Sequence, residues 1–273
     1  MTRELFRKNG PPLIMGILNV TPDSFFDGGK HSTEETAVMH ALQMIEDGAD
    51  IIDVGGESTR PFAEEVSLGT EIKRVVPVIE EIRSRSDVFI SIDTYKSEVA
   101  RRACTAGADI INDISGLTFD PQMAHIASET GAHVVIMHTK GTPKNMQIDP
   151  HYDDVIAEIH DFFLGRITFA QASGVATDRI ILDPGIGFGK RVEDNLRILK
   201  MLGEFKRLGK PLLIGTSMKS FIGKVTDSPL EERWAGTLAS LAVSHMNGAD
   251  ILRVHDVKEA RKVVKLVHAI QES

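Results

Sequence analysis

The sequence predicts an α/β fold, a single (β/α)₈ barrel of the TIM type, on three observations. Eight short apolar runs alternate with eight helical segments across 273 residues, which is a common length for such a barrel. The runs are continuously apolar, as strands are in a parallel sheet covered on both faces. Polar residues follow almost every run, and in a barrel those strand ends converge on one face, where the active site is expected. A doubly wound sheet is the alternative, in which the same ends spread along an edge.

The predicted strands are the apolar runs that end at a polar or turn-forming residue. Four of them follow a glycine-alanine step, in which the glycine ends a helix and a tight turn leads into the strand. In chain order the strands are predicted over residues 13–18, 51–54, 88–92, 110–113, 134–137, 180–182, 212–214 and 251–254.

The predicted helices carry local start and stop signals. Ser32 and Glu35 match a capping box, Asp120 and Pro121 match a cap and a first helical residue, and Pro77 is expected to kink its helix. The helices are predicted over residues 32–48, 69–85, 98–106, 120–130, 155–173, 193–208, 229–247 and 257–271. Because no linker interrupts the series, one domain is expected over residues 1–273.

The composition excludes several classes of partner. A net charge of −8 argues against nucleic acid as the main ligand, and no apolar run approaches the length of a membrane span. Cys104 is the only cysteine, so an intrachain disulfide is impossible, which is typical of a reducing compartment. Residues 1–10 are charged and lack the apolar core of a signal peptide. These features predict a cytoplasmic protein that binds small molecules.

A glycine-rich stretch after the sixth strand is the strongest local signal for a binding site. The strand ends at Asp183, and residues 184–190 then read PGIGFGK. The glycines allow a sharp turn and a close approach of backbone to ligand, while Phe188 and Lys190 add an aromatic ring and a cation. A surface turn capped by Asp183 is the alternative interpretation of this one loop.

Similar polar residues follow the other strands, which favours a shared site. Carboxylates and carboxamides on the middle strands suit the N–H groups of a planar nitrogen heterocycle, and the cations on the last strands suit a phosphate or diphosphate. Asp53 and His138 also fit a purely structural role at the barrel rim. The residues at the strand ends are Asn19, Asp53, Asp93, Asn112, His138, Asp183, Lys219, Arg253 and His255.

Seven ordered segments resemble the signatures of bacterial dihydropteroate synthases, and together they extend over residues 13–264. Two departures occur: Phe26 replaces the family's usual serine and Met218 its usual arginine. The matching segments are 15–25 (MGILNVTPDSF) with 27–29 (DGG), 53–61 (DVGGESTRP), 91–94 (SIDT), 111–113 (IND), 183–190 (DPGIGFGK), 215–217 (GTS) with 219–220 (KS), and 253–256 (RVHD).

The resemblance implies a barrel enzyme that condenses dihydropterin diphosphate with p-aminobenzoate in folate synthesis and releases diphosphate. By resemblance, the chemistry depends on Lys219, Arg253, His255 and Asp93. The pterin is expected to contact Asp93, Asn112, Asp183 and Lys219. The diphosphate is expected to contact Asn19, Thr59, Arg60, Arg253 and His255, with Asn19 reaching it through Mg²⁺. The p-aminobenzoate is expected to contact Phe25, Pro61, Phe188, Lys219 and Ser220.

The family also implies a dissociative reaction, in which diphosphate leaves before the arylamine nitrogen attacks, and a homodimer. Two alternative functions stay open from the sequence. A methyltransferase that uses a pterin substrate shares the pterin-binding groups but needs no diphosphate or aminobenzoate site, so Thr59, Arg60 and Ser220 favour the synthase. A pterin-binding protein without activity is the other alternative, and Met218 is the one feature that suggests it.

Overall fold

Eight parallel strands form the centre of the protein. The computed structural model describes residues 4–6, 10–21, 33–58 and 64–273. The strands are β1 (Leu13–Asn19), β2 (Ile51–Gly55), β3 (Phe89–Asp93), β4 (Ile110–Asp113), β5 (His133–Met137), β6 (Ile180–Asp183), β7 (Leu213–Ile214) and β8 (Ile251–Val254). All eight predicted strands are present, and no bound differs from the predicted one by more than one residue.

The sheet closes on itself. Hydrogen bonding runs in the order β6-β5-β4-β3-β2-β1-β8-β7, so β6 and β7 are its two ends. Leu182 of β6 pairs in parallel with Leu212, just before β7, and the Leu182 N–H donates to the Pro211 carbonyl at 2.9 Å. The (β/α)₈ barrel is therefore confirmed, and the open doubly wound sheet is excluded because its edge strands would not meet.

Helices cover the outside of the barrel. None of those in the described part of the chain combines the length and apolar character needed to cross a bilayer. They are α1 (Thr33–Glu46), α2 (Leu68–Arg85), α3 (Ser97–Ala106), α4 (Met123–Thr130), α5 (Val155–Ala172), α6 (Val192–Lys200), α7 (Gly203–Lys206), α8 (Ser220–Thr226), α9 (Trp234–Met246) and α10 (Val257–Gln271).

Several helix bounds differ from the predicted ones for local reasons. The segment predicted as one helix over 193–208 is divided into α6 and α7. The α4 helix begins at Met123 rather than at Pro121, because Asp120 accepts hydrogen bonds from the N–H groups of both Gln122 and Ser97. The segment over 229–247 starts with a short 3₁₀ turn before α9. Ser32, and with it the predicted capping box, lies outside the described residues.

The barrel interior is built in layers of opposite character. Near the amino ends of the strands, seven aliphatic side chains pack together, and Leu5 of the amino-terminal segment joins them. The next inward positions, two residues further along each strand, carry Asp53, Ser91, Asn112 and Asp183, with Arg253 on β8. The lower layer, hereafter the apolar layer, consists of Met15, Ile51, Ile110, Val135, Ile181, Leu213 and Ile251.

Candidate active site

An ionic network links three strands in the layer above the apolar one. Arg253 donates from Nε to Asp53 Oδ2 at 2.6 Å and from Nη2 to Asp93 Oδ2 at 2.7 Å. Asn112 Nδ2 donates to the same Asp53 oxygen at 3.1 Å. Burial raises the pKa of Asp93 to about 7, although the Arg253 charge opposes this shift. The network brings Asp93, Asn112 and Arg253 together, as predicted, with Asp53 between them.

Asp183 occupies the same level on β6. Its Oδ1 accepts a hydrogen bond from the Gly185 N–H at 2.7 Å, which directs the carboxylate across the mouth of the barrel. Burial raises the pKa of Asp183 to about 6, against the Gly185 hydrogen bond and the charges of Lys219 and Lys190. Gly185 has a φ of 68°, and a side chain there would overlap the His138 carbonyl oxygen. Glycine is therefore required for this turn.

The rest of the glycine-rich loop is held by side chains from other elements. Gln147 donates to the Gly187 carbonyl at 2.7 Å, and Tyr152 donates its hydroxyl to the Gly189 carbonyl at 2.8 Å. Asn195 of α6 accepts from the Gly187 N–H at 2.7 Å. Because these bonds come from two separate parts of the chain, the connection between β5 and α5 and the helix α6, the loop has a defined shape before any ligand binds.

Lys190 lies beneath this loop and is buried. Its Nζ is 3.0 Å from His138 Nδ1, and it donates to the carbonyls of His138 at 3.2 Å and Phe188 at 3.0 Å. Burial lowers the pKa of Lys190 to about 7, although Asp183 favours its charged form. Burial and the Lys190 charge together lower the pKa of His138 to about 2. Lys190, which the sequence predicts as the cation of this loop, therefore points inward and holds the backbone through two carbonyl groups.

Phe188 and Lys219 form one wall of the site. The Lys219 ammonium lies 4.4 Å from the centre of the Phe188 ring, within cation–π range. Gly187 lies against the Lys219 stem, since a Cβ at Gly187 would be 3.3 Å from Lys219 Cδ. Ser220, the next residue, is exposed and begins α8. Three predicted aminobenzoate contacts lie in the described part of the chain. Of these, Phe188 and Lys219 are in contact, and Ser220 follows Lys219 in the sequence.

Asn19 is the last residue of β1, and His255 directly follows β8. A Cβ at Gly55 would be 3.6 Å from Asp93 Cβ and 3.8 Å from Asn19 Oδ1, so the Asn19 and Asp93 side chains meet over Gly55. His255 is exposed, and its Nδ1 lies 2.9 Å from the Ser217 hydroxyl. Both predicted diphosphate-side residues therefore lie at the mouth of the barrel.

The remaining predicted contacts are in two loops. Phe25, Thr59, Arg60 and Pro61 lie outside the described residues, as does Phe26. The base of the second loop is described, and there Glu57 accepts from the Tyr95 hydroxyl and from Lys96 Nζ, both at 2.5 Å. Lys96 also donates to the buried carboxylate of Glu71 at 2.7 Å and to the Val66 carbonyl at 2.6 Å. Both sides of this loop are thus tied to the start of α3.

Met218 lies where the family usually has arginine, and neighbouring residues hold its backbone. It adopts a left-handed φ of 58°. Its N–H donates to the Thr237 hydroxyl at 3.1 Å, and Arg233 donates to its carbonyl at 3.4 Å. Thr237 of α9 and Arg233, the residue before α9, therefore hold the loop that precedes Lys219.

Sequence reasoning missed two buried charges of the site. The sequence alone leaves both a structural and a functional role open for Asp53. Its position two residues after inward-facing Ile51 nevertheless indicates that it points into the barrel. The sequence predicts Lys190 only as a cation of the glycine-rich loop. Nothing local in the sequence reveals its contact with His138, which lies 52 residues earlier.

The protein is a barrel with a polar layer at its mouth, which is where enzymes of this fold bind their substrates. Comparison with known proteins agrees. The family model described as "Pterin binding enzyme" matches residues 15–255. Over 258 residues the chain is 50% identical to the dihydropteroate synthase of Escherichia coli K12, covering 94% of this chain and 91% of the relative.

Two solved structures show the same likeness. The Yersinia pestis dihydropteroate synthase in complex with a sulfonamide drug superposes with a TM-score of 0.92 at 44% identity, covering 100% of this chain and 98% of the other. The Xanthomonas albilineans enzyme in complex with 7,8-dihydropteroate gives 0.88 at 41% identity, covering 96% and 95%. The chain belongs to the pterin-binding enzymes and, within them, to the dihydropteroate synthases, which are transferases.

Proposed function

We propose that the polar layer of the barrel holds the pterin of the dihydropterin diphosphate substrate. Asp183 is suited to accept two N–H bonds from the amino-pyrimidine edge, since its carboxylate is fixed by Gly185. Asp93 and Asn112 face the ring from β3 and β4, and Lys219 donates to the ring carbonyl. The observation that supports this role best is the set of buried hydrogen-bonding groups at the ends of β3, β4 and β6, which are Asp93, Asn112 and Asp183.

The cations at the mouth are proposed to hold the diphosphate, together with Asn19 and with Thr59 and Arg60 of the second loop. The Asn19 carboxamide fits Mg²⁺ because it offers an oxygen beside Asp93 and because Mg²⁺ needs few protein ligands when diphosphate and water supply the others. Bound there, Mg²⁺ would neutralise charge on the leaving diphosphate. Arg253 adds positive charge on the same side of the mouth, and His255 adds a ring nitrogen that can donate a hydrogen bond.

The p-aminobenzoate is proposed to lie against the wall formed by Phe188 and Lys219. Ser220 offers a hydroxyl to the carboxylate, and Phe25 and Pro61 would complete the slot from the two loops. Phe188 is fixed for this role, since its carbonyl accepts from Lys190 and the loop around it is held from two other chain segments. A ring that packs on Phe188 therefore meets a surface that does not need to rearrange.

The reaction then breaks the bond between the methylene carbon and the diphosphate oxygen, and the electron pair leaves with the diphosphate. Arg253 and His255 stabilise that leaving charge. The carboxylates of Asp93 and Asp183 stabilise the pterin-methylene cation that remains. The arylamine nitrogen attacks the methylene carbon and loses a proton, giving 7,8-dihydropteroate. No nucleophile on the protein is required.

A calorimetric titration tests this order of events. If the diphosphate brings the two loops over the slot, p-aminobenzoate should bind weakly to the free enzyme and at least tenfold more tightly with Mg²⁺ and inorganic diphosphate present. By linkage, p-aminobenzoate should tighten diphosphate by the same factor. The Arg60→Ala variant should reduce this coupling, whereas Arg102→Ala on the exposed face of α3 should not. Equal p-aminobenzoate affinities in both titrations would contradict the ordered mechanism.

We further propose a cytoplasmic homodimer made of one barrel domain over residues 1–273. Leu241 and His245 of α9 are buried, so the side of α9 that carries them does not supply the interface. The neighbouring faces of α9 and α10 instead expose Val243 (43%), Met246 (63%), Leu266 (64%) and Ile270 (63%), which form an apolar patch. Light scattering at micromolar concentration should give twice the mass of one chain, and a monomer mass would contradict it.

A further inference from the structure

Asp53 joins the two halves of the site although its side chain is fully buried. Its exposed fraction is 0%, so it lies behind the groups that face a ligand. One oxygen, Oδ2, accepts both from Asn112 on β4 and from Arg253 on β8. These donors belong to the pterin side and to the diphosphate side of the mouth, and the chain separates Asp53 from Arg253 by 200 residues.

We propose that Asp53 is a positioning residue that sets the orientation of Asn112 and Arg253 and restricts the positive charge that Arg253 offers to the diphosphate. This inference rests on the roles proposed above for Asn112 and Arg253.

The second half of this proposal, that Asp53 restricts positive charge, is supported by the charges around Arg253. One guanidinium contacts two carboxylates, those of Asp53 and Asp93, at 2.6 and 2.7 Å. Burial works against the charged guanidinium, yet the two carboxylates together raise the pKa of Arg253 above its ordinary value. Removing the charge of Asp53 would therefore leave more uncompensated positive charge near the diphosphate. It would also replace the ion pair at Nε by a weaker hydrogen bond to an uncharged acceptor, so the guanidinium would be held less firmly.

Two substitutions at Asp53 separate its charge from its shape. Asp53→Asn is isosteric and keeps an acceptor for both donors, because only Oδ2 is used and Oδ1 has no hydrogen-bond partner among the described residues. Asp53→Ala removes the acceptor and leaves the Asn112 amide without this partner. Asp113→Asn is the control: Asp113 is also buried at a strand end, but its hydrogen bonds come from the loop that follows it, from the backbone N–H groups of Ser115 and Leu117 and from the Ser115 side chain.

The experiment measures binding of two probes separately, together with turnover. The probes are inorganic diphosphate with Mg²⁺ and 6-hydroxymethylpterin, titrated by calorimetry at about pH 8.5. Burial, together with the carboxylates of Asp53, Glu71 and Asp113, raises the pKa of Asp93 to about 7 although the Arg253 charge opposes the shift. At the chosen pH the charge of Asp93 is therefore the same in the parent protein and in the variants.

Asp53→Asn should bind diphosphate about tenfold more tightly, because a nearby negative charge is gone. Its pterin affinity should stay within about threefold of the parent value, because the Asn112 bond is kept. Its kcat should nevertheless fall about tenfold or more, because the tighter binding is to the bound ground state rather than to the transition state. Asp53→Ala should weaken pterin binding about tenfold. Asp113→Asn should leave both affinities unchanged.

A residue that only stabilises the barrel would lower the melting temperature without tightening the binding of an anion. Unchanged or weaker diphosphate binding in folded Asp53→Asn would overturn the proposal, whether or not Asp53→Ala folds. The underlying site assignment is checked separately with Asn112→Ala and Arg253→Met. If those variants bind both probes as the parent protein does, the proposed roles of Asn112 and Arg253 are wrong; if they lose affinity and Asp53→Asn behaves as the parent, only the role of Asp53 is wrong.

Discussion

Two neighbouring layers inside one barrel have opposite chemistry. The apolar layer consists of aliphatic side chains that are almost fully buried and need no polar partner. Two residues further along the same strands, the interior holds Asp53, Asn112 and Asp183, which are also buried, and Arg253, whose side chain is 21% exposed; charge and hydrogen bonds join them. The strands and the register are shared, so the difference comes from side-chain type.

The difference shows how the barrel divides stability from function. Burial of aliphatic groups is favourable by itself, whereas burial of carboxylates has a free-energy cost that only partners or a ligand offset. The raised pKa values of Asp93 and Asp183 reflect that cost. We therefore expect substitutions in the apolar layer to change folding and those in the polar layer to change binding.

The largest expected effect is that of Asp183→Asn in the polar layer. The asparagine carbonyl can keep the bond from the Gly185 N–H, which leaves its NH₂ group facing the N–H donors of the pterin. Such a mismatch costs a few kcal/mol, or about a hundredfold in affinity. Calorimetry with 6-hydroxymethylpterin measures it. An unchanged affinity would reject Asp183 as a pterin ligand.

Ile181→Ala is the matched change in the apolar layer, two residues earlier on β6. Ile181 is fully buried, so the cavity should reduce the free energy of unfolding by about 2–5 kcal/mol. The pterin affinity of the folded protein should change by less than about twofold, since the truncated side chain lies one layer below the ligand. Urea unfolding and calorimetry check the two halves of this prediction. A large loss of pterin affinity would show that the layers are not separable.

Lys190→Met should change how stability depends on pH. Because burial lowers the pKa of Lys190 to about 7 from an ordinary 10.5, the unfolded chain binds a proton between these values that the folded chain does not. The free energy of unfolding should therefore rise with pH from 7 to 10.5, by up to about 1.4 kcal/mol per pH unit from this group. The variant should have a flatter profile in urea unfolding at several pH values. Lys200→Met on the exposed surface serves as the control, and equal slopes in all three proteins would contradict the prediction.

The smallest expected effect is that of Ser217→Ala. It removes the hydroxyl 2.9 Å from His255 Nδ1, so the imidazole loses one orienting contact. A neutral hydrogen bond of this kind contributes about 1 kcal/mol at most, which corresponds to a roughly threefold to fivefold higher KM for dihydropterin diphosphate. Steady-state kinetics should show an unchanged KM for p-aminobenzoate. An equal rise for both substrates would indicate a general disturbance of the loop.

The fold could be predicted because its signals are local. Each strand is an apolar run with a turn signal, and each glycine-alanine step marks a helix end, so eight units can be counted without knowing a single contact. The division between α6 and α7 is less easily predicted, because contacts with neighbouring elements decide it.

The sequence predicts which residues of the candidate site meet at the mouth of the barrel, but it does not predict which of them contact each other. The convergence of strand ends placed Asn19, Asp93, Asn112 and Asp183 at one mouth, as the barrel geometry requires. That Arg253 is neutralised by two carboxylates depends instead on strands that lie far apart in sequence and on the closure of the sheet. Periodicity along one strand cannot reveal such contacts.

A crystal structure with a dihydropterin diphosphate analogue and Mg²⁺ is the most direct test of the division between the two layers. We expect the pterin edge within hydrogen-bond distance of Asp183 and Asn112, the anion beside Arg253 and His255, and the apolar layer unchanged beneath them. A pterin bound elsewhere, or a polar layer that contacts only itself when the ligand is present, would contradict the account.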